Sequence, residues 1–144
     1  MSQADDASFR HRFRLAVRWG DMDAYGHVNN VQFFRYIESA RVAYLQDVLG
    51  SAVGGQGENV IVADCQLSFL QQVAFPAELT IGSRVARLGR SSFTMAHELW
   101  RGDAAAPVAR GQTVLVWFDF GGQRPVPLPE SLRARLLEYE PGLT

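Results

Sequence analysis

The chain has few of the features that would place it in a membrane, outside the cell or on nucleic acid. Cys65 is the one cysteine in 144 residues, so no internal disulfide can form and no cysteine set has zinc-ligand spacing. No apolar run approaches the roughly 20 residues that span a bilayer. Residues 1–14, MSQADDASFRHRFR, are polar and lack the apolar segment of a secretory leader. A formal charge of −1 exerts no broad pull on nucleic acid. Arg10, His11, Arg12 and Arg14 are too few and too isolated to form a basic patch. The three histidines, His11, His27 and His97, have no metal-ligand spacing. A soluble protein of a reducing compartment, the cytoplasm, is the expectation.

What is present is an ordinary globular composition, 47% hydrophobic and 20% charged, in a chain long enough to bury a core. No repeat or linker divides it, so residues 1–144 are read as one domain, with 1–7 a loose tail. Phe9 to Trp19 alternates as a strand. From Asn30 to about Leu49 the period becomes helical: Phe33, Phe34, Ile37, Ala40, Arg41, Tyr44, Leu45 and Val48 recur at spacings of three and four, and Gly50 supplies a stop. Glu38 and Arg41, three apart, can pair on it. After the glycine-rich Gly54–Gly57 loop come four strand-like segments, Asn59–Val73, Glu78–Leu88, Ser92–Arg101 and Val108–Phe120. Pro129–Tyr139 returns to helical spacing. One strand, one long helix and a run of antiparallel strands is an α+β order, best met by a curved sheet wrapped around the helix.

The densest polar chemistry lies at the junction of first strand and helix, VRWGDMDAYGHVNNVQFFRYIESAR, residues 17–41. Asp21 and Asp23 precede a turn at Gly26, a histidine at His27 and two asparagines that open the helix. A helix start leaves unpaired N–H groups aimed at whatever lies before it, and its dipole favours an anion there. Asp23 beside such an end stays ionised, while the amides can stabilise negative charge developing on a carbonyl oxygen. Each residue has a plainer reading too. Asp caps helices and closes turns, Asp21 is assigned to turn hydrogen bonding, and a lone His beside a turn is either a structural residue or a base. Asn29 and Asn30 are good cap residues. Phe33, Phe34, Tyr36 and Tyr44 are core first and pocket lining second, and Cys65 is a small buried hydrophobe.

The D-x-D-x-x-G turn opening an apolar helix, with E-x-x-R further along, resembles the hotdog-fold acyl-CoA thioesterases, and within them the 4-hydroxybenzoyl-CoA thioesterase-like group. The resemblance spans roughly Arg12 to Phe120. It implies an antiparallel sheet wrapped around one central helix, and hydrolysis of acyl-CoA to a free carboxylic acid and CoA without metal, cofactor or prosthetic group. In that family the second Asp of D-x-D is the catalytic carboxylate, which falls on Asp23, and the helix N-terminal amide falls near Asn30. Relatives with a Tyr–Asp–His set carry their Tyr and His where this chain has Trp19 and Asn30. Plant acyl-carrier-protein thioesterases look like D-x-N-x-H-V-N-N, matched by Asp23, His27, Val28, Asn29 and Asn30, with Tyr25 in place of the first Asn. Asp23 is common to all three patterns, and His27 and Tyr25 are its candidate helpers.

The resemblance also makes the basic turn Arg87, Gly89, Arg90, Ser91 and Ser92 a candidate for the phosphates and pantetheine arm of CoA, supplied by a neighbouring subunit. It implies sheets joined edge to edge in a homodimer or homotetramer. The rival readings are a non-catalytic acyl-CoA or lipid-binding module on the same fold, a thioesterase acting on acyl carrier protein, and a dehydratase, whose His set is not seen here.

Overall fold

A computed structural model of the chain describes residues 9–50 and 57–144. The expected N-terminal tail and most of the Gly54–Gly57 loop lie outside the described residues. Strand β1 (His11–Ala16) leads through a short 3₁₀ turn, Trp19–Asp21, to helix α1 (Asn30–Tyr44), which widens into one π-helical turn at Leu45–Leu49. Then come β2 (Glu58–Phe69), β3 (Glu78–Leu88), β4 (Ser92–Arg101), β5 (Pro107–Asp119), the two-residue β6 (Arg124–Pro125) and helix α2 (Glu130–Tyr139). The strands form one antiparallel sheet in the order β1-β3-β4-β5-β2, with β6 on the end of β5.

The helix sits on this sheet because its apolar residues fall on one stripe. Phe33, Tyr36, Ile37, Ala40 and Tyr44 are buried, and the first four pack with Leu79, Ile81, Leu99 and Ala109 of β3, β4 and β5. Each large side chain buried this way contributes about 1.5–3 kcal/mol. A curved antiparallel sheet around a central helix is the hotdog arrangement. At the far end of the helix a second cluster joins Tyr44, Leu45, Val48 and Leu49 to Leu128, Leu132 and Leu136 around α2. Arg135 of α2 donates to the Val48 carbonyl at 2.9 and 3.1 Å, satisfying one of the orphan acceptors of the π turn.

Several boundaries differ from the sequence reading for identifiable reasons. The first strand stops at Ala16, because the backbone N–H of Arg18 turns onto the Asp21 carboxylate. Trp19 therefore leaves the alternating face and is 73% exposed. Strand β2 ends at Phe69 and not Val73, since the Leu70 and Gln71 N–H groups both turn onto the Val108 carbonyl. On α1, Glu38 pairs with Arg35 at 3.0 Å. Arg41 is half-buried instead, and its burial pulls the guanidinium below its ordinary value.

Between the two apolar clusters lies a buried polar row. The His97 ring bonds Ser83 Oγ through Nδ1 at 2.9 Å and Thr113 Oγ1 through Nε2 at 3.0 Å. Burial, aided by Arg41, lowers its pKa from 6.5 to about 3. The folded chain thus holds His97 neutral where the unfolded chain binds a proton, and stability is lost as pH falls from 6.5 toward 3. His97 is expected to account for roughly 2–3 kcal/mol of the stability lost between pH 7 and pH 4.5. Urea unfolding at both pH values checks this. A His97→Gln variant is neutral at each, and if it loses as much stability as the wild type, His97 is not the cause.

Candidate active site

The junction before α1 is assembled around two aspartates with different tasks. Asp21 is the structural one. It is buried, its Oδ2 accepts the Tyr36 hydroxyl at 2.6 Å and the Arg18 N–H at 3.1 Å, and Oδ1 lies 3.3 Å from the Arg18 guanidinium. Burial works against its ionisation, but the Tyr36 hydroxyl and Arg18 outweigh it and hold the carboxyl below its ordinary range. The same burial and the facing carboxylate push the Tyr36 phenol up. Because Tyr36 lies on the buried stripe of α1, this bond ties the entry turn to the helix.

From there the chain forms a narrow loop. The Asp23 N–H donates to the His27 carbonyl at 3.1 Å and the Gly26 N–H to the Asp23 carbonyl at 3.0 Å. Gly26 closes the turn at φ +82°, a left-handed conformation that costs a side-chain-bearing residue strain. The Val28 N–H reaches the Val73 carbonyl at 2.7 Å and anchors the loop to the chain beyond β2. Asn29 is the N-cap of α1, with its Oδ1 accepting the Val31 N–H at 2.9 Å. Asn30 is the first helical residue, and its N–H has no acceptor among the described residues.

Asp23 points its carboxylate into this frame. Oδ1 accepts the Tyr25 N–H at 2.9 Å and Oδ2 accepts the Asn29 side-chain amide at 3.1 Å. A carboxylate held from both sides has a defined direction yet keeps a free lone pair on each oxygen. It borders a cleft of about 510 Å³. Asp23, Tyr25, His27, Asn29 and Asn30 make its polar wall, Val28, Phe33, Phe69 and Leu70 its apolar one, and Gln71 and Gln72 add two amides. The aromatic wall continues outward, Phe69 packing edge-on against Phe33 at 5.5 Å and Phe34 at 6.3 Å between ring centres. Acid, helix N-terminus and apolar surface together suit a substrate with a polar reacting end and an apolar tail.

All four candidate catalytic positions, Asp23, Tyr25, His27 and Asn30, border this one cleft. Tyr25 engages Asp23 through its backbone, while its side chain is 88% exposed. The candidate substrate-binding residues Arg87, Arg90, Ser91 and Ser92 lie elsewhere. Ser92 is in register with Val116 of β5, seven residues beyond Ala109, the partner of Phe69 at the cleft end. At about 3.3 Å per residue the turn is roughly 23 Å away along the strand, so these residues do not meet Asp23 within one chain. Phe69, Leu70, Gln71 and Gln72 were missed by sequence reasoning. Phe69 ends, and the other three follow, a strand that looked longer than it is, and no local signal aims them at the helix start.

With the geometry in place, comparison with known proteins decides the family. The model of the thioesterase-like superfamily matches residues 17–136. The chain belongs to the thioesterase-like superfamily. Among solved structures, a thioesterase from Thermus thermophilus complexed with coenzyme A and zinc is 37% identical with a TM-score of 0.80, covering 92% of this chain and 96% of that one. The PA5185 protein of Pseudomonas aeruginosa is 31% identical with a TM-score of 0.84, covering 96% of each. Among curated proteins, YsmA of Bacillus subtilis is 32% identical over 76% of this chain and 73% of its own length. The chloroplastic acyl-acyl carrier protein thioesterase ATL3 of Arabidopsis thaliana is 22% identical over 90% of this chain and 68% of its own length. The Thermus and Arabidopsis proteins are thioesterases by name, and this thioesterase-like domain carries a carboxylate at a helix N-terminus that suits thioester hydrolysis.

Proposed function

We propose that the protein is an acyl-CoA thioesterase. The observation that carries the reading is the Asp23 carboxylate, held by Tyr25 N–H and the Asn29 amide in the wall of the cleft that Asn30 also lines, whose N–H has no acceptor among the described residues. The thioester carbonyl oxygen lies against the Asn30 amide, and Asp23 takes a proton from water. The water oxygen adds to the carbonyl carbon, the C–S bond breaks, and the proton leaves with the CoA thiolate. The products are a free carboxylic acid and CoA. A donor such as the Asn30 amide, where negative charge builds on the carbonyl oxygen, is worth about 3 kcal/mol of barrier in other enzymes. The acyl group lies along Phe33, Phe69 and Phe34.

CoA is preferred to acyl carrier protein as thiol carrier because the Thermus relative with coenzyme A bound is the more similar, 37% against 22% for the Arabidopsis enzyme. The test is a screen of purified protein against acyl-CoAs of graded chain length and aromatic acyl-CoAs, with matching acyl carrier protein substrates as a second arm. Release of free thiol from CoA substrates supports the reading. Release from carrier-protein substrates alone would overturn the carrier assignment, and binding without turnover would leave a non-catalytic acyl-binding module.

No metal requirement is expected. Among the described residues no group of three or more His, Cys, Asp or Glu side chains is gathered as a metal site needs, and Asp23 already accepts two N–H donors. Activity should therefore survive EDTA dialysis unchanged. Loss with EDTA and recovery with a divalent ion would defeat this expectation.

A further inference from the structure

The Asn29 side chain touches the site from both ends. Its Oδ1 accepts the Val31 N–H at 2.9 Å as the cap of α1, and its Nδ2 donates to Asp23 Oδ2 at 3.1 Å. The first bond dictates the second. A backbone N–H is only a donor, so the amide must present oxygen to Val31 and nitrogen to Asp23. That orientation in turn requires Asp23 to offer an acceptor, which an ionised carboxylate does. One planar amide therefore spans the helix end and the carboxylate. The Asn29 backbone is pinned as well, its N–H donating to the carbonyl of buried Asp21 at 3.1 Å.

We infer that Asn29 is the positioning residue of the reaction, setting the direction of Asp23 relative to the N-terminal amides of α1. The inference rests on the thioesterase reading above. Capping alone does not require asparagine, because Ser and Asp cap helices about equally well. Among good capping residues, only asparagine carries one atom that accepts from Val31 and a second that donates to Asp23. Misdirecting a catalytic group by an ångström can cost about a hundredfold in rate.

The test uses two variants that keep the cap. Asn29→Ser retains an oxygen for Val31 and loses the amide NH₂, leaving one hydroxyl that sits a bond nearer the backbone and falls short of Asp23. It should lower kcat by about tenfold or more, leave KM within about twofold, and keep Tm within about 2 °C of wild type. Asn29→Asp retains the cap and sets two carboxylates against each other. It should lower kcat further and move the acid limb of the pH–rate profile to higher pH. Wild-type kcat in Asn29→Ser, or a loss of kcat matched by a loss of Tm, would overturn the positioning role and leave Asn29 a cap. Asp23→Asn is run in parallel. If that variant is inactive while Asn29→Ser is fully active, the inference alone falls; if Asp23→Asn stays active, the reading of Asp23 falls with it.

Discussion

Asp23→Asn is expected to lower kcat on the best acyl thioester by at least about two orders of magnitude, roughly 2.7 kcal/mol of barrier. The substitution keeps shape and removes the charge and basicity. Both carboxylate oxygens act as acceptors, from Tyr25 N–H and the Asn29 amide, so an amide in their place sets its own NH₂ group against a donor. The site is half-buried and water can relieve that clash, which keeps the cost to stability at about 1 kcal/mol. Steady-state turnover together with a thermal melt separates the two effects. Near wild-type kcat in the folded variant would remove Asp23 from the chemistry. His27→Ala is expected to cost less, since His27 lines the cleft without directing Asp23 through its side chain.

The second large effect concerns assembly. β2 is 12 residues long and, among the described residues, pairs only with β5, so its other edge offers there a row of unpaired backbone groups. Beside that edge Val62 is 47% exposed, and it shares surface grooves with exposed residues of α1, Val31 at 69%, Val42 at 47% and Phe34 at 38%. The chain is therefore expected to form at least a two-fold dimer, and a dimer of dimers in the larger assembly. The large apolar residues of β4 do not form part of that surface. Phe93, Met95, Leu99 and Trp100 of β4 are covered within the chain. In such an assembly the Arg87–Ser92 turn, too far from Asp23 in its own subunit, would serve the cleft of its partner. An inactive Asp23→Asn protein and an inactive Arg87→Ala, Arg90→Ala protein, unfolded together and refolded, should then recover about a quarter of wild-type activity. Half of the randomly paired dimers are mixed, and each mixed dimer holds one intact site of two. A fully active monomer in light scattering would sink the assembly and the shared site together.

The architecture was largely legible in the sequence because it depends on periodicity. The shift from alternation to a three-four spacing at Asn30, and back to alternation after the glycine-rich loop, marks the hotdog order of elements. β3 and β4 run as expected over Glu78–Leu88 and Ser92–Arg101. Less legible were the ends of β1 and β2, where the chain leaves the sheet for a particular partner, the Asp21 carboxylate in one case and the Val108 carbonyl in the other. β6 was not foreseen at all, since two residues carry no period.

In the site, the local chemistry was legible for the same reason: Asp21, Asp23, Gly26, His27, Asn29 and Asn30 lie within ten positions, and short-range geometry brings such neighbours together whatever the rest of the fold does. The sequence by itself determined the helix start, the carboxylate before it and the turn that joins them. Only the tertiary structure decided which aspartate is tied to the helix and which borders the cleft. Tyr36 reaches back from the second turn of α1 to Asp21 and leaves Asp23 to the cleft, a choice set by which face of the helix is buried. It also decided that Phe69 to Gln72 close the cleft opposite Asp23 and that Arg87 to Ser92 lie at the other end of the sheet. Those placements follow from strand register, which is a property of pairs of segments and is written in neither segment alone.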